Sequence, residues 1–240
     1  VTWETTTSLN FGLDLYMLNN RLSLTADYFK KETTDMLLDL SIPSLSGYND
    51  PTVNVGSMNT NGWELGLSWK DQIGKINYST SFNIFDSKSI IGDVRGKRLF
   101  SNGDRLLSQE GSEFQSWYVY QSDGIFQNQT EVDNSPVTSD AVAPGDIKYK
   151  DISGPDGTPD GIINELDRTV LGGSLPRYQY GGSINLEYKG FDFSLAFQGV
   201  GKNDFYLSES FIRPFQESWL SPSEEYANDY WSTYRTQQQN

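Results

Sequence analysis

The stretch that decides the fold is residues 62–84, Gly62-Trp63-Glu64-Leu65-Gly66-Leu67-Ser68-Trp69, then Lys70 to Lys75, then Asn77-Tyr78-Ser79-Thr80-Ser81-Phe82-Asn83-Ile84. Trp63, Leu65, Leu67 and Trp69 alternate with Gly62, Glu64, Gly66 and Ser68, and Tyr78, Thr80, Phe82 and Ile84 alternate with Asn77, Ser79, Ser81 and Asn83. A period of two with one apolar and one polar row is the pattern of a strand between two different environments. The short connection between the two runs predicts a hairpin.

The same pattern recurs on both sides. Leu9, Phe11, Leu13 and Leu15 alternate with Ser8, Asn10, Gly12 and Asp14, and across the turn Leu18-Asn19-Asn20 come Leu22, Leu24, Ala26 and Tyr28 against Ser23, Thr25 and Asp27. Tyr178, Tyr180, Ile184, Leu186 and Tyr188 oppose Gln179, Ser183, Asn185 and Glu187, and after Lys189-Gly190 follow Phe191, Phe193, Leu195 and Phe197. Six strands in three hairpins are therefore predicted. Short turns fall near residues 19, 72 and 190, whereas the other connections are long, roughly 20, 90 and 40 residues. Short turns at one sheet end and long loops at the other are what an outer-membrane β-barrel has. The apolar rows carry no charge, and Tyr16, Trp63, Trp69, Tyr78, Tyr178, Tyr188 and Phe191 lie near their ends as aromatic girdles would. A soluble glycan-binding β-sandwich is the alternative, its apolar rows facing a protein core.

Composition agrees with an all-β chain and narrows its chemistry. Apolar residues are 36% of the 240, aromatics 14%, and there are 22 glycines. With neither histidine nor cysteine, His-based triads, His-ligated metal sites and disulfides are excluded. A net charge of -14 opposes nucleic-acid binding. No apolar run is long enough for a membrane-spanning helix. The opening Val1-Thr2-Trp3 has no signal-peptide layout, and six strands cannot close a wide barrel, so a piece of a longer protein is expected.

Several stretches resemble the C-terminal part of SusC/RagA-family TonB-dependent importers. They are Trp3 to Asp14, Leu22 to Leu38, Asn54-Val55-Gly56 with Asn61-Gly62-Trp63-Glu64, Tyr118 to Gln127, Gly145 to Tyr149, Asp167 to Val170, Pro176 to Tyr178, and Phe191 to Gly201. The resemblance implies an antiparallel transmembrane barrel of about 22 strands in the bacterial outer membrane. It implies import of oligosaccharides or peptides with a SusD-like lipoprotein and the TonB complex, the latter reached through an N-terminal region outside this chain. Residues 1–240 are then a partial barrel, with long extracellular loops at 86–176 and, incompletely, 203–240.

Within the longer loop, Asp156-Gly157-Thr158-Pro159-Asp160-Gly161-Ile162 to Asp167 has the spacing of a calcium loop. Asp156, Thr158 and Asp160 take positions 1, 3 and 5, Ile162 offers its carbonyl, and Asp167 closes the site, with Asp151 and Ser153 as extra oxygens in another register. Calcium is expected to order this loop. The ion-free alternative is an acidic loop held by Asx-turns. Ser221-Pro222-Ser223-Glu224 predicts a capped helix to about Trp231, whose Tyr226 and Tyr230, with Trp219 and Phe215, pack a loop or meet a partner. Trp117-Tyr118-Val119-Tyr120 reads as a short packed strand. Carboxylate pairs such as Asp14 with Asp27 or Glu187 with Asp192 recur along the polar rows as solvated charges do, so no enzyme is expected.

Overall fold

The computed structural model describes residues 2–39, 47, 51–138, 141–207, 224, 228 and 230–232. Four long strands come first: β1 (Thr5–Met17), β2 (Leu22–Asp39), β3 (Thr52–Ile73) and β4 (Ile76–Ile91). Short elements follow: β5 (Leu99–Ser101), β6 (Leu106–Ser108), β7 (Ser116–Tyr120), β8 (Ser122–Ile125), helix α1 (Gln129–Asp133), β9 (Val137–Thr138), β10 (Ile147–Tyr149), β11 (Ile162–Ile163) and β12 (Arg168–Gly173). Two long strands, β13 (Arg177–Tyr188) and β14 (Phe191–Lys202), end the described sheet.

All six expected strands are present. They form one antiparallel sheet in the order β1-β2-β3-β4-β13-β14, so the 85-residue excursion from Gly92 to Pro176 leaves and re-enters between neighbours. The last hairpin turn has the backbone that a two-residue connection between twisted strands demands, with φ of +49° at Lys189 and +82° at Gly190. At the first turn Leu18, Asn19 and Asn20 all take positive φ.

Register aligns the predicted rows across the whole sheet. Leu15, Leu24, Leu67, Phe82, Gly182 and Phe197 are successive partners, while one residue on, Tyr16, Ser23, Ser68, Ser81, Ser183 and Ala196 make the neighbouring row on the other face. The apolar face is uncovered: Phe11 is 62% exposed, Leu13 52% and Phe193 55%. A sandwich would bury these side chains under a second sheet. Among the described residues the buried apolar ones are Ile91, Val94, Leu106, Leu107, Tyr118 and Phe126, none of which lies on the apolar rows. This surface is suited to hydrocarbon, against which an apolar side chain loses nothing.

Two details depart from expectation. Tyr16 shares its face with Asp14 and Ser23, so it belongs to the polar side rather than to a lipid girdle. The connection between β2 and β3 is shorter than expected, because both strands continue past a pair of bulges at residues 33–37. There Asp35 takes a φ of +57°, and the Asn54 amide donates to the Asp35 and Thr2 carbonyls at 2.8 Å each. The extra residues break the period of two that marks a strand in sequence.

The chain divides into two compact units. The first holds the long sheet and a small antiparallel arrangement of β5, β6 and the start of β7 around Leu106 and Leu107. The second contains residues 118–171 and the described residues after 204. It is organised by β8 paired with β10, the parallel pair β9 and β11, and buried Phe126, Tyr118 and Asp167.

Candidate functional site

The polar face of the sheet forms a groove near the short turns. Tyr16, Arg21, Ser23, Ser68, Lys70, Ser81, Ser183 and Asn185 line it. Neighbouring strands are cross-linked there by side chains: Ser81 and Ser183 hydroxyls lie 2.8 Å apart, and Ser194 donates to Asn185 at 2.7 Å. Arg21 reaches Asp71 at 3.1 Å. Higher on this face Asp27 and Glu64 are direct cross-strand partners, an arrangement that favours water over close packing. Glu187 and Asp192 also face each other, at the last hairpin. The polar row therefore carries hydrogen-bonding groups and acids, with Glu187 accepting from the Asn77 amide at 3.4 Å, along a surface that water or a polar solute wets.

On the opposite face aromatic residues bound the apolar band. Trp69 donates from Nε1 to the Tyr78 hydroxyl at 3.1 Å. At the other end the row Tyr28, Trp63, Asp86 marks where charge returns. Asp86 is buried, and both its oxygens accept from the Arg177 guanidinium while its Oδ1 also takes the Tyr178 N–H. A bidentate pair fixes orientation as well as distance. It pins Tyr178, whose φ is +55°, where the long excursion re-enters the sheet. Glu113 extends the cluster, 2.6 Å from Lys88 and 3.9 Å from Arg177. Neither Asp86 nor its partner is marked by sequence spacing, since 90 residues separate them.

The residues expected to hold calcium all lie in the second unit, where Asp160 and Asp167 accept backbone N–H groups. Asp167 is fully buried, and its Oδ1 accepts the Ile152 and Ser153 N–H groups at 2.8 and 3.1 Å while Oδ2 accepts that of Asn164 at 2.8 Å. Burial pushes its carboxyl up, but the backbone N–H groups of Asn164, Ile152 and Ser153 outweigh that and hold it below the usual carboxylate range. Asp160 accepts the Ile162 N–H, and Asp151 accepts those of Asp160 and Gly161. Asp156 and Thr158 are exposed. Among the described residues no three acidic side chains converge as a metal would need. Asx-type hydrogen bonds run through the loop.

Other aromatic expectations divide. Trp117 to Tyr120 does lie in a strand, β7, with Trp117 donating to the Asp204 carbonyl at 2.7 Å. Tyr118 is buried under the Arg168 guanidinium, 4.5 Å from its ring centre. The Tyr120 hydroxyl is pushed up by burial and by Glu165 beside it. The capping box 221–224 and residues Phe215, Trp219 and Tyr226 lie outside the described residues, apart from Glu224, which is helical.

Residues 1–136 match the family described as TonB dependent receptor-like, beta-barrel. The chain belongs to that family. TonB-dependent receptor P26 of Formosa agariphila is 34% identical over 216 residues, 86% of this chain and 21% of that receptor. TonB-dependent receptor SusC of Bacteroides thetaiotaomicron is 24% identical over 213 residues, 85% of this chain and 20% of SusC. Among solved structures, the RagAB peptide importer in its open-open state aligns with a TM-score of 0.67 at 23% identity, over 83% of this chain and 21% of that one, a likeness of fold. The SusC/RagA resemblance read from the sequence is met by SusC in sequence and by RagAB in fold. The chain spans about a fifth of the length of the relatives it matches. It is an outer-membrane β-barrel segment of a TonB-dependent receptor, with the apolar face of its sheet toward lipid.

Proposed function

We propose that this chain forms part of the wall and extracellular mouth of an active importer for oligosaccharides or peptides, working with a SusD-like surface lipoprotein and driven through TonB. The observation that carries the reading is the two-sided sheet: an uncovered apolar face and, in strict register, a groove-bearing polar face. Such a wall separates hydrocarbon from a wet interior through which a polar solute can move. The resemblance to SusC/RagA importers supports the partnership, and the RagAB importer supports peptides as one cargo class. No catalytic step is assigned: with no histidine or cysteine in the chain, the polar face offers hydrogen bonds and charge without a converging acid, base and nucleophile.

The test is uptake by cells lacking the parent receptor gene, supplied with labelled oligosaccharide or peptide pools. Loss of one pool's uptake, restored by the intact gene and abolished again without the TonB system or the lipoprotein, is the expected result. Unchanged uptake of both pools, with the protein recovered in the aqueous fraction, would overturn the assignment.

A further inference from the structure

The 118–171 module holds a cavity of about 530 Å³, within the roughly 300–1,000 Å³ range of small-molecule sites. Strands β8 and β10 supply Asp123 and Lys148 to Tyr149, followed by Lys150 and Asp151, and the stretch around helix α1 supplies Glu131.

These walls are already braced. β8 and β10 pair antiparallel, the Lys150 N–H donates to the Gln121 carbonyl at 2.9 Å, and the Lys148 ammonium meets Asp123 at 3.2 Å. Glu131 Oε2 accepts the Gln127 N–H at 3.1 Å, and its Oε1 accepts from the Asn128 amide at 3.4 Å. Asp151 is held by the Asp160 and Gly161 N–H groups. The Tyr149 ring centre lies 5.4 Å from that of Tyr120, whose hydroxyl donates to Glu165 at 3.3 Å. A site preformed in this way needs little further ordering when a ligand enters.

The chemistry of the lining selects the ligand. Two ammoniums, Lys148 and Lys150, stand among three carboxylates, Asp123, Glu131 and Asp151, with Tyr149 as the aromatic member. Each Glu131 oxygen takes one donor and keeps a second lone pair, and Lys150 forms no ion pair with a described residue. A sugar hydroxyl donates and accepts at once, so it can bridge a lysine and a carboxylate while the C–H face of its ring lies on a tyrosine. The surplus of carboxylate over ammonium opposes an anionic ligand. Only Pro136 and Ile152 in the lining are aliphatic, too little to receive the apolar side chains of a peptide.

We propose that this cavity is a subsite for a neutral saccharide, with Tyr149 as its platform and Lys150 and Glu131 as donor and acceptor for ring hydroxyls. The subsite captures sugar at the module, whether or not the same sugar passes through the barrel.

The experiment titrates the full receptor in detergent micelles with neutral oligosaccharides of glucose, galactose, mannose and xylose, and follows saturation transfer from protein to sugar by NMR. At least one is expected to bind, with an affinity that does not change with salt because no ligand charge is screened. Tyr149→Ala is expected to weaken that binding on the order of tenfold and Lys150→Met by roughly threefold. Tyr149→Phe keeps the ring and the packing against Tyr120, and stays within about twofold, which separates loss of the platform from loss of the module's fold. No binding of any of the four sugars, binding that neither Tyr149→Ala nor Lys150→Met weakens, or binding of uronate oligomers or peptides in place of neutral sugars would overturn the subsite. Uptake is not read, so either result leaves the import assignment to its own test.

Discussion

The long sheet and the 118–171 module solve the same problem with opposite materials. In the sheet, backbone polar groups pair with neighbouring strands while large apolar side chains point outward and stay exposed, Phe11 and Leu13 among them. In the module, strands are two to four residues long apart from the ends of β7 and β12, and a buried carboxylate replaces much of the ladder by collecting backbone N–H groups. The sheet relies on its surroundings for the burial of its apolar face, and the module carries its own interior. Solvent therefore dictates sequence pattern in the first and local polar satisfaction does so in the second.

The largest effect should come from adjacent residues on β3. Leu67→Arg places a charge in the middle of the apolar band and is expected to cost about 2–4 kcal/mol in bilayer-reconstituted receptor. Ser68→Arg, on the polar face, should stay within about 0.5 kcal/mol. Denaturant unfolding in lipid checks both, and equal costs would mean that the two faces do not meet different environments.

A second test concerns the module. Asp167→Ala leaves the Ile152, Ser153 and Asn164 N–H groups without their acceptor and is expected to loosen the module by about 3 kcal/mol, seen as faster amide exchange at those positions. Because the folded-state carboxyl lies below its ordinary range, its stabilisation is complete above the unfolded value of about 3.9 and is lost as pH falls toward the folded value. Protection of those amides, corrected for intrinsic exchange, should be flat from pH 5 to 8 and decline only below about pH 4. A decline beginning near neutrality would assign the loop's order to some other group.

The same contrast explains what could be read in advance. Alternation gave up all six strands because lipid and water impose opposite chemistry on successive residues, from Leu9 to Phe197. Nearness to a row end suggests Tyr16 for the girdle, though its parity with Asp14 assigns it to the polar face. The outer halves of β2 and β3 were hidden by bulges. The pairing of Asp86 with Arg177 depends on tertiary contact and leaves no local trace. Asn164 and Asp167 do leave one, since an Asn followed three residues later by an acid is a capping box, and both halves of that box are formed.

That capping box gives the smallest expected effect. Spacing alone suggests that Asp167 closes a calcium site, but a carboxylate whose two oxygens already take three N–H groups would have to surrender them to reach an ion. Calcium and chelator are therefore expected to leave proteolytic protection of residues 151–167 the same, whereas Asp167→Ala removes it in both. A calcium-dependent gain in protection would instead mean that Asp151, Asp156 and Asp160 rearrange around a cation, and the module would then borrow its order from solution much as the sheet borrows burial from lipid.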